Sequence, residues 1–369
     1  MRPRGRAGTH PAVPRLRRVS CSSPGLSRVR SGKGEATSFS YVDAAGQPVT
    51  DPETLARIDA LVLPPAWEDV WICSVAAGHI QATGLDARGR RQYRYHDHWR
   101  VVRDLAKHEH ILDFATALPA AREQIQRDLH EKSMTRRRVL SCAVRLLDLG
   151  FFRVGSEQYA EENGTFGLAT LRKEHVGVSR AGVITFEYTA KSGKHRIQQI
   201  ADPDVCAVVT AMKRRRQGGE ELLAWWEGSQ RNGHWVDVKS GDINDHVREL
   251  LDGDFSAKDF RTWNATVLAS VGLAVSSQAS ETPTARKKAV TRVVQEVAGY
   301  LGNTPAVCRS SYIDPRVVDL FEQGETVWPD LEALGEDGVF GQPATQGAVE
   351  AAVLRLLRVP AEQAERLAG

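Results

Sequence analysis

Six residues scattered between positions 153 and 312 have side chains suited to chemistry: Arg153, Lys191, Lys258, Arg261, Asn303 and Tyr312. A guanidinium stays charged and can bind two oxygens at once. A lysine can donate a proton where its surroundings lower its pKa. A tyrosine hydroxyl is among the groups that form covalent intermediates. Taken together, these are tools for an anionic, oxygen-rich substrate. The sequence has no P-loop, no HExxH and no EF-hand, so nothing in it reads as an ATP or metal site.

Singly, each residue has a plainer explanation. Arg153 reads as a structural arginine after a helix, and Lys191 as a turn lysine in Lys-Ser-Gly-Lys. Lys258 and Arg261 share one helical face at i, i+3. Asn303 can cap a helix that begins near Thr304-Pro305. Tyr312 reads as a core or surface aromatic. Only their joint order and spacing argues for more. His79, His96, His98, His108 and His110 raise a metal question, because His-x-His pairs can chelate. No carboxylate or cysteine cluster stands at ligand spacing beside them, so no metal is expected.

The elements that must position these groups can be read in outline. Residues 38–100 look β-rich, with short apolar stretches broken by Gly and Pro. They end in Gly89-Arg90-Arg91-Gln92-Tyr93-Arg94-Tyr95, where strand alternation puts both tyrosines on one face and basic groups on the other. Aromatics beside a basic strip suit nucleic-acid contact. Helical spacing begins near 101, with segments at 101–116, 119–131 and 135–149, the last capped by Thr135 and ended by Gly150. A three-stranded antiparallel meander follows over 176–178, 183–188 and 196–200, with Lys191 at its second turn. Helices resume at about 203–216, 242–252, 257–270, 284–301 and 304–312. The expected fold is α+β: a small β-rich N-terminal domain over 38–103 and a larger, mainly helical domain over 104–369 that carries the meander. Residues 1–37 read as a disordered basic arm.

Charge is distributed unevenly. The chain of 369 residues has net charge +3, but nine of its 49 Lys/Arg lie in residues 1–34, where there is no acid. The other 40 face 46 Asp/Glu, so any nucleic-acid surface on the body must be a local patch. Candidates are Arg88 to Arg103, Arg136 to Arg138 and Lys213 to Arg216; for each run, the plainer reading is a solvated face. The N-terminal arm is either a DNA-affinity element or the product of a start codon assigned too far upstream; its Arg/Ser-rich composition also resembles an organelle transit peptide. Five widely spaced cysteines without a CxxC pair fit a reduced, intracellular protein. No apolar run is long enough for a membrane span. The Trp225-Trp226 pair reads as core or loop packing.

Five segments carry a resemblance. They are Gly89-Arg90-Arg91-Gln92-Tyr93, Phe152-Arg153-Val154-Gly155, Glu162-Asn163-Gly164-Thr165-Phe166-Gly167-Leu168, Lys258-Asp259-Phe260-Arg261-Thr262, and Gly302-Asn303-Thr304-Pro305 through Tyr312. In that order they resemble the poxvirus-type branch of type IB DNA topoisomerases in its bacterial version, from about residue 38 to 325. The resemblance implies two domains that close around double-stranded DNA as a clamp and relax supercoils, through a 3′-phosphotyrosine at Tyr312, strand rotation and religation. Neither ATP, metal nor any other cofactor is implied. It implies that Arg153 and Arg261 stabilise the transition state, that Lys191 is the general acid (with Lys194 the alternative if the hairpin slips), and that Lys258 assists. Arg90, Arg91, Gln92, Tyr93, Tyr95 and Tyr159 would touch DNA. Asn303 departs from the many relatives with histidine there; it can donate a hydrogen bond but cannot titrate. A monomer acting on DNA at the nucleoid, in the cytoplasm and without a membrane, is expected.

Two other functions compete. A tyrosine recombinase shares the chemistry, but its pattern has His-x-x-Arg where this chain has Lys258-x-x-Arg261, and its N-terminal region is helical. A catalytically inactive DNA-binding protein would lack part of the set, whereas all of it is present here.

Overall fold

Five helices start at an Asp-Pro or Thr-Pro pair, and one of them, at Thr304-Pro305, lies between Asn303 and Tyr312. A computed structural model of the chain describes residues 16–32, 38–229, 231–280, 282–336 and 346–358. Within it the chain forms two compact units, 1–107 and 108–369.

The first unit contains β1 (Leu26–Ser31), β2 (Ser38–Val42), α1 (Pro52–Ala60), β3 (Glu68–Ile72), β4 (Ile80–Leu85) and β5 (Arg91–Tyr95). The strands make one antiparallel sheet in the order β2-β1-β3-β4-β5. Its core is small: Leu26, Ile58, Val70, Ile72 and Ala82. The presence of β1 corrects the expectation of a disordered arm through residue 37. Leu26 pairs with Ile72 and is buried, and Arg17 forms a bridge to Gly78. Arginine-rich composition hid a strand whose single apolar anchor suffices once a sheet edge is available. Residues 1–15 and 33–37 lie outside the described residues.

Helix α2 (Asp97–Leu129) contains the boundary between the units. It is one helix, where two separated near residue 117 were expected, and it runs through Pro119. Proline removes one backbone hydrogen bond, but Ile111, Leu112, Ala115, Leu118, Ala121 and Ile125 are all buried on one side. Packing of that face carries the helix through the local defect.

The second unit continues with α3 (Arg136–Gly150), α4 (Glu157–Asn163), β6 (Val176–Val178), β7 (Ile184–Ala190), β8 (Lys194–Ile200) and α5 (Pro203–Arg214). Then come β9 (Ala224–Gly228), β10 (Gly233–Asp237), α6 (Ser240–Leu251), α7 (Ala257–Ser277), α8 (Pro283–Leu301), α9 (Pro305–Ser311), α10 (Pro315–Gln323), α11 (Trp328–Glu336) and α12 (Ala348–Leu357). The meander β6-β7-β8 is antiparallel as expected. The hairpin β9-β10 was not foreseen: Trp225 enters the core, and Trp226 packs edge-on against Trp235.

The caps explain the helix starts. Thr282 accepts from Ala285 N, Thr304 from Val307 N and Asp314 from Arg316 N, each just before a proline whose missing N–H is not needed there. Helix α3 starts at the Thr135 cap, but the left-handed residue that ends it is Phe151 (φ 55°), not Gly150. Helix α7 lies within the main core, with Phe260, Trp263, Ala265, Val267 and Ala269 buried.

The last segments are tied down by charge. Asp148 of α3 accepts from Arg122 (2.8 and 2.9 Å), Arg145 (2.7 Å) and Gln346 (2.9 Å). Glu350 of α12 accepts from Arg122 (2.5 Å) and from Trp263 Nε1 (2.8 Å). This network joins α12 to the helix that carries Lys258 and Arg261. Burial would lower the pKa of Arg122, but Glu350 and Asp148 outweigh it and the net direction is upward.

Candidate active site

The segment around Arg153 is held by a backbone contact that only glycine allows. Gly155 has φ +90°, and a Cβ there would come within 2.9 Å of Gly167 Cα; a Cβ on Gly167 would meet Gly155 Cα at 2.4 Å. The close approach lets Leu168 N and Ala169 N donate to Arg153 O and Val154 O, both at 2.8 Å. Phe152 is buried and packs edge-on against Phe186. The two motifs Phe152–Gly155 and Glu162–Leu168 are therefore the two sides of one clasp that fixes the base of Arg153.

Arg153 then reaches the other end of the domain. Its Nη2 donates to Asn303 Oδ1 and lies 3.5 Å from Gly302 O. Arg261, from the first turns of α7, donates through Nη1 to Phe151 O and through Nη2 to Leu301 O (2.9 Å). It thus joins the end of α3 to the end of α8. Its guanidinium carbon lies 5.2 Å from the centre of the Tyr312 ring. The sequence suggested that both arginines could fork onto oxygens. Arg261 instead directs one N–H of each Nη to a carbonyl, which leaves Nε and the second N–H of each Nη.

Tyr312 follows α9 and is half-buried against the core. Thr266, five residues after Arg261 on α7, donates from Oγ1 to Tyr312 O (3.2 Å) and accepts from Asp314 N (3.1 Å). One helix therefore presents a cation to the phenol and clamps the backbone that follows it, at Tyr312 O and Asp314 N. Thr266→Val is isosteric but removes both hydrogen bonds, orphaning a buried N–H. It is expected to lower unfolding stability by about 1–3 kcal/mol in chemical denaturation, with Thr266→Ser close to the parent; equal stability of the Val variant would contradict the clamp.

The electrostatics are those of a cation-rich pocket. Burial pushes the Tyr312 phenol up, but Arg261, Arg153 and Lys258 together outweigh it, and the net pKa is lowered. Burial, helped by repulsion from Arg153, brings Arg261 down to about 10, so it remains a cation at neutral pH. Arg153 is lowered by burial and by Arg196. Two buried donors in this cluster have no partner, Arg261 Nε and Asn303 Nδ2.

Arg153, Arg261, Asn303 and Tyr312 thus come together, with Lys258 in electrostatic reach of the phenol. Lys191 does not join them. It stands exposed on a turn in which Ser192 has φ 66°. Lys194 reaches Gly302 O instead, at 3.4 Å. Sequence reasoning missed Arg196, whose two Nη groups donate to Gly299 O (2.9 Å) and Tyr300 O (2.6 Å). The available signal was its alternation with Lys194 along β8, which puts both on one face. Beside the cluster opens a cleft of about 680 Å³, lined by Phe151, Arg196, Gln198, Glu296 and Tyr300 among others.

In the first unit, Tyr93 and Tyr95 stack at 5.9 Å on β5, an edge strand, and Tyr93 is exposed. Strand alternation places Arg91 on their face, which corrects the expected separation of basic groups from tyrosines. Arg90 pairs with Asp86 (2.7 Å), to which Gln92 also donates, and Arg91 pairs with Asp69 (3.0 Å). Tyr159 lies in α4, and its side chain is outside the described residues.

Within the fold, several members of two candidate basic patches already have partners, though Arg214 and Arg216 stay exposed. Arg136 and Arg137 pair with Asp242 and Glu131, and Arg138 donates to Leu129 O. Lys213 donates to Lys173 O and Arg215 to Leu222 O. A Ser–His–acid set also forms, with Ser141 Oγ 2.7 Å from Asp128 and 2.9 Å from His246 Nε2. Ser141 is wholly buried and its hydroxyl donates to Asp128, so the set ties α2, α3 and α6 together and offers no nucleophile to a substrate.

Comparison with known proteins gives two family matches. The model described as the catalytic core of eukaryotic DNA topoisomerase I matches residues 96–324. The model described as the N-terminal domain of bacterial DNA topoisomerase IB matches residues 38–86. The chain is 29% identical over 296 residues to DNA topoisomerase 1B of Acanthamoeba polyphaga mimivirus, covering 79% of this chain and 87% of that one. It is 20% identical over 264 residues to DNA topoisomerase 1B of vaccinia virus (strain Copenhagen), covering 71% and 77%. To DNA topoisomerase 1 of Daucus carota it is 26% identical over 134 residues, which is 36% of this chain and 15% of the relative.

Proposed function

The chain belongs to the DNA topoisomerase I catalytic-core family in its type IB form, and from that premise we propose that it relaxes supercoiled duplex DNA with Tyr312 as nucleophile. Tyr312 Oη attacks a backbone phosphorus. The Oη–P bond forms, the bond from phosphorus to the 5′-oxygen breaks, and the strand is held as a 3′-phosphotyrosine. Rotation about the intact strand releases torsion, and the 5′-hydroxyl then attacks the phosphotyrosine to reseal the strand. The bond energy is conserved in the covalent link, so the cycle needs no ATP.

The observation that carries this reading is the pair of unspent buried donors, Arg261 Nε and Asn303 Nδ2, beside a phenol of lowered pKa. A phosphoryl transition state spreads negative charge over its non-bridging oxygens, and donors fixed in advance are the main catalytic resource there. Arg153 supplies further N–H groups from its clasped loop. Lys258 supports the phenolate by its charge. Lys191 protonates the departing 5′-oxygen: its amine has no hydrogen bond or ion pair among the described residues, whereas that of Lys194 is engaged at Gly302 O. Tyr93, Tyr95, Gln92, Arg90, Arg91 and Tyr159 contact the duplex outside the reaction centre. The enzyme acts as a monomer, at the nucleoid.

Asn303 stabilises the transition state without titrating. Its Oδ1 orders Arg153 while Nδ2 faces no protein acceptor. A neutral histidine can divide the same two roles between its ring nitrogens. Asn303→His is therefore expected to relax plasmid within about tenfold of the parent rate at neutral pH, about 1.4 kcal/mol of barrier. A folded Asn303→His protein without activity would sink this role.

The test of the whole reading is relaxation of a negatively supercoiled plasmid in EDTA without ATP, followed by denaturant quench. Relaxation together with a denaturant-stable protein–DNA adduct mapping to Tyr312 supports the reading. DNA binding with neither would leave a non-catalytic binder.

A further inference from the structure

Helix α8 ends at the reaction centre, and the first half of its outward face carries Lys287, Lys288 and Arg292. At 100° per residue, Thr284, Lys288, Thr291, Gln295 and Gly302 fall within about 40° of one line along the helix. Lys287 and Arg292 flank that line. Thr284, Lys287, Lys288, Thr291, Arg292 and Gln295 are all exposed and line a shallow depression of about 340 Å³. Lys287 and Lys288 have no hydrogen bond or ion pair among the described residues, unlike most of Arg136–Arg138 and Lys213–Arg216, which are spent internally. Arg292 donates to Ser276 Oγ and lies 3.9 Å from Glu296, both weak constraints on its charge. At the far end of the line, Gly302 O receives Lys194, and Arg196 sits against the last turn.

From these placements we infer that the outward face of α8 is a track for the phosphates of duplex DNA, leading away from the phosphodiester that Tyr312 attacks. The inference rests on the DNA-relaxing reading above and adds to it a surface and its partner chemistry. From Lys288 to Gly302 the helix rises roughly 21 Å at about 1.5 Å per residue, comparable to the axial rise of about six base pairs of duplex at 3.4 Å each. Lysine ammonium groups with threonine hydroxyls between them match phosphate oxygens, which accept from both. The same helix would then present Asn303 to the reacting phosphate and hold the flank in register with it.

The test is equilibrium binding of a long plain duplex to the full chain and to Lys287→Ala/Lys288→Ala, across a salt series. Each lost phosphate contact lowers the slope of log affinity against log salt by about 0.9, so the double variant is expected to lose nearly two units of slope. Its rate of covalent adduct formation at saturating DNA should equal that of the parent. The loss should vanish on duplexes trimmed on one side of the cleavage point. Unchanged slope and affinity on the long duplex would overturn the track, as would an equal loss on duplexes trimmed on either side. If the parent forms no adduct but the slope difference persists, the catalytic reading falls and the track stands.

Discussion

Tyr312→Phe is expected to give a protein that folds, binds duplex DNA and relaxes none of it, with no adduct surviving denaturant. Removing a nucleophile that no neighbour can replace costs on the order of 10⁴-fold or more in rate. The nearest thiol offers no substitute: Cys308, one helical turn earlier, is fully buried, and burial pushes its thiol up to about 11. The ring packs under the Arg261 guanidinium and against the core, and phenylalanine keeps both contacts. Its backbone stays pinned by Thr266, which bonds the main chain and not the hydroxyl. Thermal unfolding should therefore be nearly unchanged while plasmid relaxation disappears. Persistent relaxation by the purified variant would mean that another group attacks the phosphate and that Tyr312 only fills space.

Asp148→Ala is expected to destabilise the second unit more than any surface change. Asp148 is 1% exposed and takes hydrogen bonds from Arg122, Arg145 and Gln346. Without it, two largely buried guanidinium groups lose a counter-charge. Breaking a buried pair from one side costs about 3–5 kcal/mol, because the remaining charge has no water to return to. Glu350 still compensates Arg122, and Asp202 still lies 3.2 Å from Arg145, so the loss should fall toward the lower end. Denaturant titration measures it directly. A change below about 1 kcal/mol would show that water enters the network and that the last helix is not anchored through it. The same variant should lose adduct formation along with folding, since Glu350 also bonds Trp263 on α7.

How far the sequence could be read depended on how local the cause was. The helix start at Thr135 was legible because a cap acts within three residues, whereas α9 is capped by Thr304 and not, as the sequence offered, by Asn303. The meander was legible from alternation and turn residues. Pro119 misled because a local breaker competes with a buried face that only the tertiary structure supplies. Strand β1 was hidden for the same reason: its partners, β2 and β3, lie elsewhere in the chain. In the candidate site, the order of the motifs and their resemblance picked out Arg153, Arg261, Asn303 and Tyr312, which folding brings together. Arg196 and Thr266 escaped notice because their partners, Gly299, Tyr300, Tyr312 and Asp314, are brought near by folding alone. The basic patches were over-read because a charge run does not reveal which of its members already have acids or carbonyls within reach.

Helix α7 has a consequence beyond the contacts it makes. Arg261, Trp263 and Thr266 lie within two turns of one rigid rod, and through them the rod holds the oxygens of Phe151 and Leu301, the carboxylate of Glu350 and the main chain of Tyr312. A load that shifts this rod as a body moves the cation and the phenol by the same amount, so their separation survives. In the proposed cycle, resealing a strand after it has turned requires the 5′-oxygen to return to the phosphorus held on Tyr312 within a fraction of an ångström. If Arg261 and Tyr312 act as proposed, holding the cation and the main chain of the tyrosine from one helix makes that return less sensitive to strain elsewhere in the protein.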